Sequence, residues 1–323
     1  QTGMVGRAVC GLAGKEIRKR AKVGRRLVDV GFGGAPCQGF SLIGQRVLDD
    51  PRNQLVKEFV RLVVELDAKT FVFENVKGLT VGRHRMFLDA LIEAFAKHGY
   101  DVQMPWRVLN ASDYGVPQNR QRLFLLGAQK GLPLPVYPPK TSNIAKPAGQ
   151  ETGIGPTPTC FEAIGDLPNV ECWRELETAD SVKYRPGKAL SSYARELRCE
   201  YLGAWHFGYK RSWAPNVLTS SMRTEHTDIS RRRFAATREG EVEPISRFFK
   251  LSKTGVCNTL RAGTDAARGA FTSPRPIHYG YPRCITVREM ARLHGYPDWF
   301  RFHVTKWHGA RQIGNSVPPP LAR

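Results

Sequence analysis

Residues 27–41 read LVDVGFGGAPCQGFS, an apolar run that passes into glycine, proline and small residues. The apolar start predicts a buried β-strand, and the glycines after it predict a loop whose backbone can approach a ligand closely. In α/β proteins, loops at the carboxyl ends of strands often carry the chemistry. Cys37 therefore stands where a nucleophilic thiol would be useful, although a lone free cysteine is at least as often a small buried core residue.

Two further segments place charged residues beside apolar strands. Residues 71–76, FVFENV, end a predicted strand near Glu74, whose pKa should rise where burial desolvates the carboxyl group. Residues 118–122, QNRQR, lead into another apolar run. Strand alternation predicts that Arg120 and Arg122 lie on one face, where they could pair with Glu74 or with phosphates. Taken alone, Glu74 could equally be a strand-end cap, and the arginines a solvated basic rim.

Four motifs together indicate a family. Residues 312–320, QIGNSVPPP, predict a turn followed by a proline-led helix start. The strings Pro-Cys-Gln, Glu-Asn-Val, Gln-x-Arg-x-Arg and Gly-Asn-Ser-Val-Pro resemble, in this order, the signatures of the DNA cytosine-5 methyltransferase family. Residues 50–55 and 286–298 are similar to two further segments of that family. The resemblance extends over nearly the whole chain.

The resemblance implies a catalytic role for Cys37, Glu74, Arg120 and Arg122. Carbon 5 of cytosine is a poor nucleophile, and addition of the Cys37 thiolate to carbon 6 makes it electron-rich. Glu74, hydrogen-bonded to ring nitrogen 3 and the exocyclic amine, would stabilise the electron density pushed into the ring. Arg122 would orient Glu74, and Arg120 would help to position the base. Nothing in the sequence identifies the base that removes the proton from carbon 5.

The same resemblance implies a cofactor. The methyl donor of the family is S-adenosylmethionine, and the matching positions in this chain imply contacts from Pro36, Leu55, Asn315, Ser316 and Val317. We expect no metal.

DNA contacts are implied because the target base must leave the duplex before Cys37 can reach it. In the family, the loop after the cysteine closes over DNA. The implied contacts in that loop are Gln38, Ser41, Arg46 and Arg52. Further candidates, chosen from the basic and polar residues of the recognition region, are Arg223, Arg231, Lys253, Arg261 and Thr264.

The composition favours a polyanionic partner, which the resemblance specifies as double-stranded DNA. Lys and Arg number 49 against 29 Asp and Glu, a formal net charge of +20. The seven cysteines include no Cys-x-x-Cys spacing, which argues for a reducing compartment and against structural zinc. Neither a run of 18 apolar residues nor a signal peptide is evident, so a membrane role is not expected. The expected location is the bacterial cytoplasm in association with the nucleoid, or the nucleus in a eukaryote.

The apolar segments predict an α/β fold with a second, smaller domain. Predicted strands at 27–33, 70–76, 104–109 and 122–128 alternate with helices at 53–66 and 86–98, which is typical of a parallel, doubly wound sheet. The resemblance specifies this as a Rossmann-like class I methyltransferase sheet domain. The expected division is a partial catalytic domain at 1–130, a target-recognition domain at 131–280 and a return segment at 281–323.

Residues 1–26 lack the strand and glycine-containing turn with which family members begin, and which hold the methionine and adenosine of the cofactor. The sheet domain is therefore expected without its first strands, leaving the strand at 27–33 as an unpaired apolar edge. Either the sequence is a piece of a longer chain or a second polypeptide supplies those strands.

Two alternative functions stay open on the sequence. One is a tRNA cytosine-5 methyltransferase of the same superfamily, whose Cys-Phe-Thr signature is replaced here by Cys160-Phe161-Glu162. The other is a non-catalytic DNA-binding subunit of a split methyltransferase, suggested by the missing cofactor motif. The intact Cys37 and Glu74 motifs argue against that second alternative.

Overall fold

The computed structural model describes residues 10–35, 54–144, 154–200, 213–261 and 275–323. Contacts divide the chain into two compact units, Gln1–Leu109 with Gln121–Pro139, and Asn110–Arg120 with Lys140–Arg323. The sequence prediction joined residues 281–323 to the sheet domain, whereas contacts group them with the second unit. The role of residues 131–280 in target recognition stays a prediction.

The first unit is a five-stranded sheet with helices. Its strands are β1 (Val28–Gly33), β2 (Ala68–Val76), β3 (Tyr100–Val102), β4 (Arg107–Asn110) and β5 (Gln121–Gln129), and its helices are α1 (Gly14–Arg20), α2 (Gln54–Glu65) and α3 (Arg85–Lys97). The spatial order is β1-β2-β5-β3, with β4 paired to β5. The predicted helices and the first, second and last predicted strands are thus confirmed, to within two residues at each end.

Strand direction differs from the parallel sheet that the sequence predicted. β1 and β2 are parallel, but β5 lies antiparallel to β2 and to β3, between which it lies in the sheet. A parallel neighbour needs a long crossover connection, usually a helix. Helix α3 provides one between β2 and β3, which therefore run in the same direction. β5 follows β4 through a short 3₁₀ turn at Ala111–Tyr114 and enters between β2 and β3 in the opposite direction.

An aromatic layer joins α2 and α3 to one face of the sheet. The rings of Phe71 in β2 and Phe95 in α3 stack with centroids 3.9 Å apart. Phe59 in α2 packs against both rings and against Phe73. A Cβ at Gly127 in β5 would lie 2.3 Å from the Phe71 ring, so this packing requires glycine opposite Phe71.

β1 is the terminal strand of the sheet among the described residues. Its side chains Val30 and Phe32 are 49% and 82% exposed. An exposed apolar edge of this kind is open to pairing with another strand. The expected additional strands beside β1 stay a prediction.

The second unit is built from short elements around its own core. Its helices are α4 (Cys160–Ile164), α5 (Ser192–Leu197), α6 (Asp228–Ala236), α7 (Val287–His294), α8 (Lys306–Gly314) and α9 (Pro319–Ala322). Its short strands are β6 (Ser142–Asn143), β7 (Gly155–Pro156), β8 (Val182–Lys183) and β9 (Val217–Leu218). Every residue of α7 is buried, and its apolar side chains pack with those of α4, α5 and α8.

The buried charges of α7 are paired. Arg283 donates to both carboxylate oxygens of Glu289, at 2.9 and 2.8 Å. Arg292, fully buried, donates to Asp298 through Nε and Nη2 at 2.6 and 2.7 Å and to Asp166 through Nη1 at 3.2 Å. Buried charges are tolerated only when they are paired and hydrogen-bonded in this way.

Candidate active site

Glu74 and Arg122 form an ion pair at adjacent ends of β2 and β5. Arg122 is aligned with Val76 in the antiparallel ladder, and Glu74, two residues before Val76, lies on the same face. The distance from Arg122 Nε to Glu74 Oε1 is 3.0 Å, and the side chains are only 13% and 17% exposed. The predicted pairing of these two side chains is therefore present in the structure.

Arg122 is itself held in place, and it therefore orients the Glu74 carboxylate. Burial lowers the pKa of Arg122, and the negative charge and hydrogen bond of Glu74 oppose that shift. Arg122 also donates from Nη1 to the carbonyl of Gln121 at 2.8 Å. A guanidinium anchored by the carbonyl of the preceding residue and by a carboxylate holds that carboxylate in one orientation.

The loop after β1 begins against this carboxylate. A Cβ at Gly34 would lie 2.8 Å from Oε2 of Glu74, so the absent side chain leaves room for the acid. Asn75, which is 5% exposed, donates from Nδ2 to the carbonyl of Ala35 at 3.0 Å. Sequence reasoning did not assign Asn75 a role; its place directly after Glu74 at a strand end was the available signal.

Several predicted site residues lie outside the described residues. These are Pro36, Cys37, Gln38, Ser41, Arg46, Arg52 and Thr264. Their assignments stay predictions.

Arg120 is buried in the second unit and is hydrogen-bonded to the backbone there. It precedes β5 and so escapes the strand alternation that was to place it beside Arg122. Its side chain is 1% exposed and belongs to the second unit. Its guanidinium donates to the carbonyls of Leu260 at 2.8 Å, Gly314 at 2.8 Å and Ser316 at 2.9 Å. These bonds make Arg120 a clamp on the backbone, and its expected part in positioning the base stays a prediction.

Gln118 and His294 extend this buried group, and sequence reasoning assigned neither a role. Gln118 Nε2 lies 2.9 Å from His294 Nδ1, and His294 Nε2 lies 3.2 Å from the Ser316 carbonyl. Both side chains are fully buried. Gln118 and His294 are 176 residues apart in the sequence, so no local pattern could have connected them.

The predicted cofactor residues divide between the two units. Leu55 lies in the first turn of α2 in the first unit and is half-buried. Asn315 is exposed at the end of α8 in the second unit, and Ser316 and Val317 after it are half-buried. An exposed amide followed by partly accessible polar and apolar groups could bind a ligand that is itself part polar and part apolar.

The predicted recognition residues differ in how available their charges are. Arg223 pairs with Glu177 and Arg231 with Glu171, so both positive charges are largely compensated. Lys253 is exposed, with Nζ 4.7 Å from the centroid of the Phe161 ring, and Arg261 is exposed. Of these four residues, Lys253 and Arg261 are the better candidates for phosphate contact.

The described residues provide neither a metal-binding cluster nor a membrane-spanning helix. They contain no cluster of His, Cys, Asp and Glu suited to a metal ion. No helix among them has the length and apolar character needed to cross a membrane.

Comparison with known proteins identifies the family. Residues 12–323 match the family model for C-5 cytosine-specific DNA methylase. The chain is 59% identical over 317 residues to the Type II methyltransferase M.XorII of Xanthomonas oryzae pv. oryzae, covering 98% of this chain and 71% of that protein. It is 30% identical to the Type II methyltransferase M.AgeI of Thalassovita gelatinovora, covering 96% and 84%.

A solved structure gives the same result. A prophage-encoded DNA modification methyltransferase of E. coli superposes with a TM-score of 0.71 at 32% identity, covering 98% of this chain and 82% of that chain. The class I methyltransferase fold expected from the sequence is thereby confirmed. The chain belongs to the C-5 cytosine-specific DNA methylase family and is a DNA cytosine methyltransferase.

Proposed function

We propose that this enzyme transfers a methyl group from S-adenosylmethionine to carbon 5 of a cytosine that has been turned out of double-stranded DNA, through a covalent Cys37 adduct. The observation that carries the proposal is the Glu74–Arg122 pair, which lies against Gly34, three residues before Cys37. The carbonyl of Ala35 is bonded to Asn75, the residue after Glu74, and Ala35 precedes Cys37 by two residues in the sequence. This supports Cys37 as the nucleophile that acts beside Glu74.

The chemistry follows from these groups. The Cys37 thiolate adds to carbon 6, and the displaced electron pair makes carbon 5 nucleophilic. Glu74, when protonated, donates to ring nitrogen 3 and accepts from the exocyclic amine, which stabilises the added electron density, while Arg122 holds the carboxyl group in place. Bound S-adenosylmethionine supplies the electrophilic methyl group. Removal of the carbon 5 proton by a base then restores the ring double bond and expels Cys37.

Three buried thiols support Cys37 by contrast. Burial raises the pKa of Cys160 to about 12 and that of Cys284 to about 11, and it raises that of Cys257 well above its ordinary value. Because the thiolate is the reactive form, these three cysteines are poor nucleophiles.

For the methyl donor, the residues that we propose are Pro36 and Leu55 together with Asn315, Ser316 and Val317. For DNA, the net charge of +20 favours the phosphate backbone, and the proposed contacts include the exposed Lys253 and Arg261. We propose that the activity serves restriction-modification at the bacterial nucleoid. Neither the described residues nor the comparisons support a second polypeptide, and the proposal includes none.

Trapping on a duplex that contains 5-fluorocytosine tests the covalent step, because fluorine at carbon 5 cannot leave as a proton does. We expect the complete enzyme to form a denaturation-resistant adduct and Cys37→Ser to form none. Cys172→Ser, at an exposed cysteine, is the matched control and should still form it. An adduct with Cys37→Ser would refute the proposal.

The tRNA alternative is tested with the same enzyme. The 59% identity to a Type II methyltransferase favours DNA as the substrate. We therefore expect methyl transfer to duplex DNA and none to tRNA. Transfer to tRNA alone would reverse the assignment, and transfer to neither substrate would favour the non-catalytic alternative.

A further inference from the structure

Three buried side chains of the second unit, those of Gln118, Arg120 and His294, are hydrogen-bonded to the backbone of two distant segments. These segments are Leu260 and the turn Gly314–Ser316. Arg120 donates to the carbonyl of Leu260 through Nη1, and through Nη2 to the carbonyls of Gly314 and Ser316. Gln118 accepts at Oε1 from the Leu260 amide at 3.1 Å. Both polar groups of Leu260 are therefore bonded to side chains of the QNRQR motif, and the turn after α8 is bonded to the same motif.

A chain of hydrogen bonds, called the relay below, runs from Gln118 through His294 to the same turn. Gln118 Oε1 faces the Leu260 amide while Nε2 lies 3.4 Å from the Leu293 carbonyl, and both contacts fix the same orientation of the side-chain amide. Nε2 is thus a donor, and His294 Nδ1, 2.9 Å away, must accept. Neutral His294 consequently carries its proton on Nε2.

The far end of the relay agrees with this tautomer. His294 Nε2 lies 3.2 Å from the carbonyl of Ser316 and 3.1 Å from its hydroxyl. The Ser316 hydroxyl donates its own proton to the Ile313 carbonyl at 2.8 Å, so it can only accept from His294. One imidazole N–H and one guanidinium therefore converge on the carbonyl of Ser316.

We propose that Arg120, Gln118 and His294 are positioning residues that set the turn Gly314–Ser316 in the conformation that binds the methyl donor. The inference rests on the proposed cofactor role of Asn315, Ser316 and Val317. The three side chains are at most 1% exposed, so they act through the turn and do not themselves touch the donor. Loss of the clamp should weaken donor binding more than it weakens DNA binding.

A general stabilising role is the competing explanation, and Arg288 provides the matched control. Arg288 is 2% exposed and donates to the carbonyl of Thr219 at 3.2 Å and of Phe300 at 2.8 Å. It is as buried as Arg120 and likewise bonded to backbone carbonyls, but none of its bonds reaches the turn after α8. Arg120→Met and Arg288→Met should therefore both lower the melting temperature, whereas only Arg120→Met should affect the donor.

The experiment is calorimetric titration of the complete enzyme with S-adenosylmethionine, combined with steady-state kinetics. We expect Arg120→Met to raise the Kd and the KM for S-adenosylmethionine by about tenfold or more, with little change in the KM for DNA. Arg120→Lys should recover part of the affinity because it keeps a charged donor. Gln118→Met, which removes the relay but keeps the guanidinium, should change the same constants by a smaller factor and decides the question if Arg120→Met does not fold.

The possible results distinguish failure of the positioning role from failure of the proposed function. Equal donor affinity in the Arg120→Met, Gln118→Met and Arg288→Met variants would overturn the positioning role while leaving the proposed function intact. A loss confined to the KM for DNA would also overturn it. Failure of the unsubstituted enzyme to bind S-adenosylmethionine would instead refute the proposed function.

Discussion

At the scale of single residues, the site is the carboxyl group of Glu74 held in place by the guanidinium of Arg122. Glu74→Gln keeps the shape of the side chain but removes the carboxyl proton that would be given to ring nitrogen 3 to stabilise the activated ring. We expect the rate of methyl transfer in a single turnover to fall roughly 100-fold to 1,000-fold, as for loss of other groups that stabilise developing charge. Arg122→Met should reduce the same rate because the carboxylate loses its orienting partner.

Lys69 gives a control for that experiment. It forms an ion pair with Asp29 at 2.8 Å on the neighbouring strand, but both side chains are exposed. Exposed pairs contribute little to stability, so Lys69→Met should retain nearly full activity. If Glu74→Gln were as active as Lys69→Met, Glu74 would have no part in the chemistry.

At the scale of elements, the sheet depends on glycine where the aromatic layer is closest. In Gly127→Ala, the added methyl group would meet the Phe71 ring at 2.3 Å and the Asp101 carbonyl at 2.8 Å. Overpacking of this kind typically costs about 1–3 kcal/mol of the free energy of unfolding. Urea unfolding should show the loss in Gly127→Ala but not in Gly78→Ala, where the nearest atom is 3.9 Å away. Equal stability of the two variants would contradict this packing argument.

The elements also show what the sequence can predict. Helices α2 and α3 and strands β1, β2 and β5 were predicted because their apolar periodicity is local. The antiparallel direction of β5 was not, since direction depends on where a strand enters the sheet. Strand alternation did not predict the face of Arg120 correctly because the strand begins one residue after it. The contact of Gln118 with His294 joins distant parts of the chain, and only folding brings them together.

At the scale of the whole molecule, the buried ion pairs make the free energy of unfolding depend on pH in the acid range. Burial alone would raise the pKa of Glu289, but the charge and hydrogen bonds of Arg283 outweigh it and hold that pKa at about 2, below the ordinary 4.5. A carboxyl group with a depressed pKa stabilises the fold above its unfolded pKa. That stability is lost as the pH falls from about 4.5 towards 2, and it amounts to a few kcal/mol.

Acid titration of the free energy of unfolding measures this effect. We expect Glu289→Gln to be less stable at neutral pH, because Arg283 is left buried without its partner, and to lose less further stability on acidification. Glu93→Gln, at an exposed residue paired with Lys97, should leave the acid dependence unchanged. Parallel acid curves for Glu289→Gln and the unsubstituted protein would show that the Arg283–Glu289 pair does not set it.

Gly34 has a consequence for mutational tolerance. Any side chain at this position would push against a carboxylate that Arg122 already holds, and a displaced carboxylate need not disturb the packed core. Gly34→Ala should therefore fold normally and yet transfer methyl groups poorly. In a saturation scan that scores abundance and activity separately, substitutions of Gly34 would lower activity but not abundance, as expected for the catalytic residue Glu74. Substitutions of the core glycines would lower abundance as well.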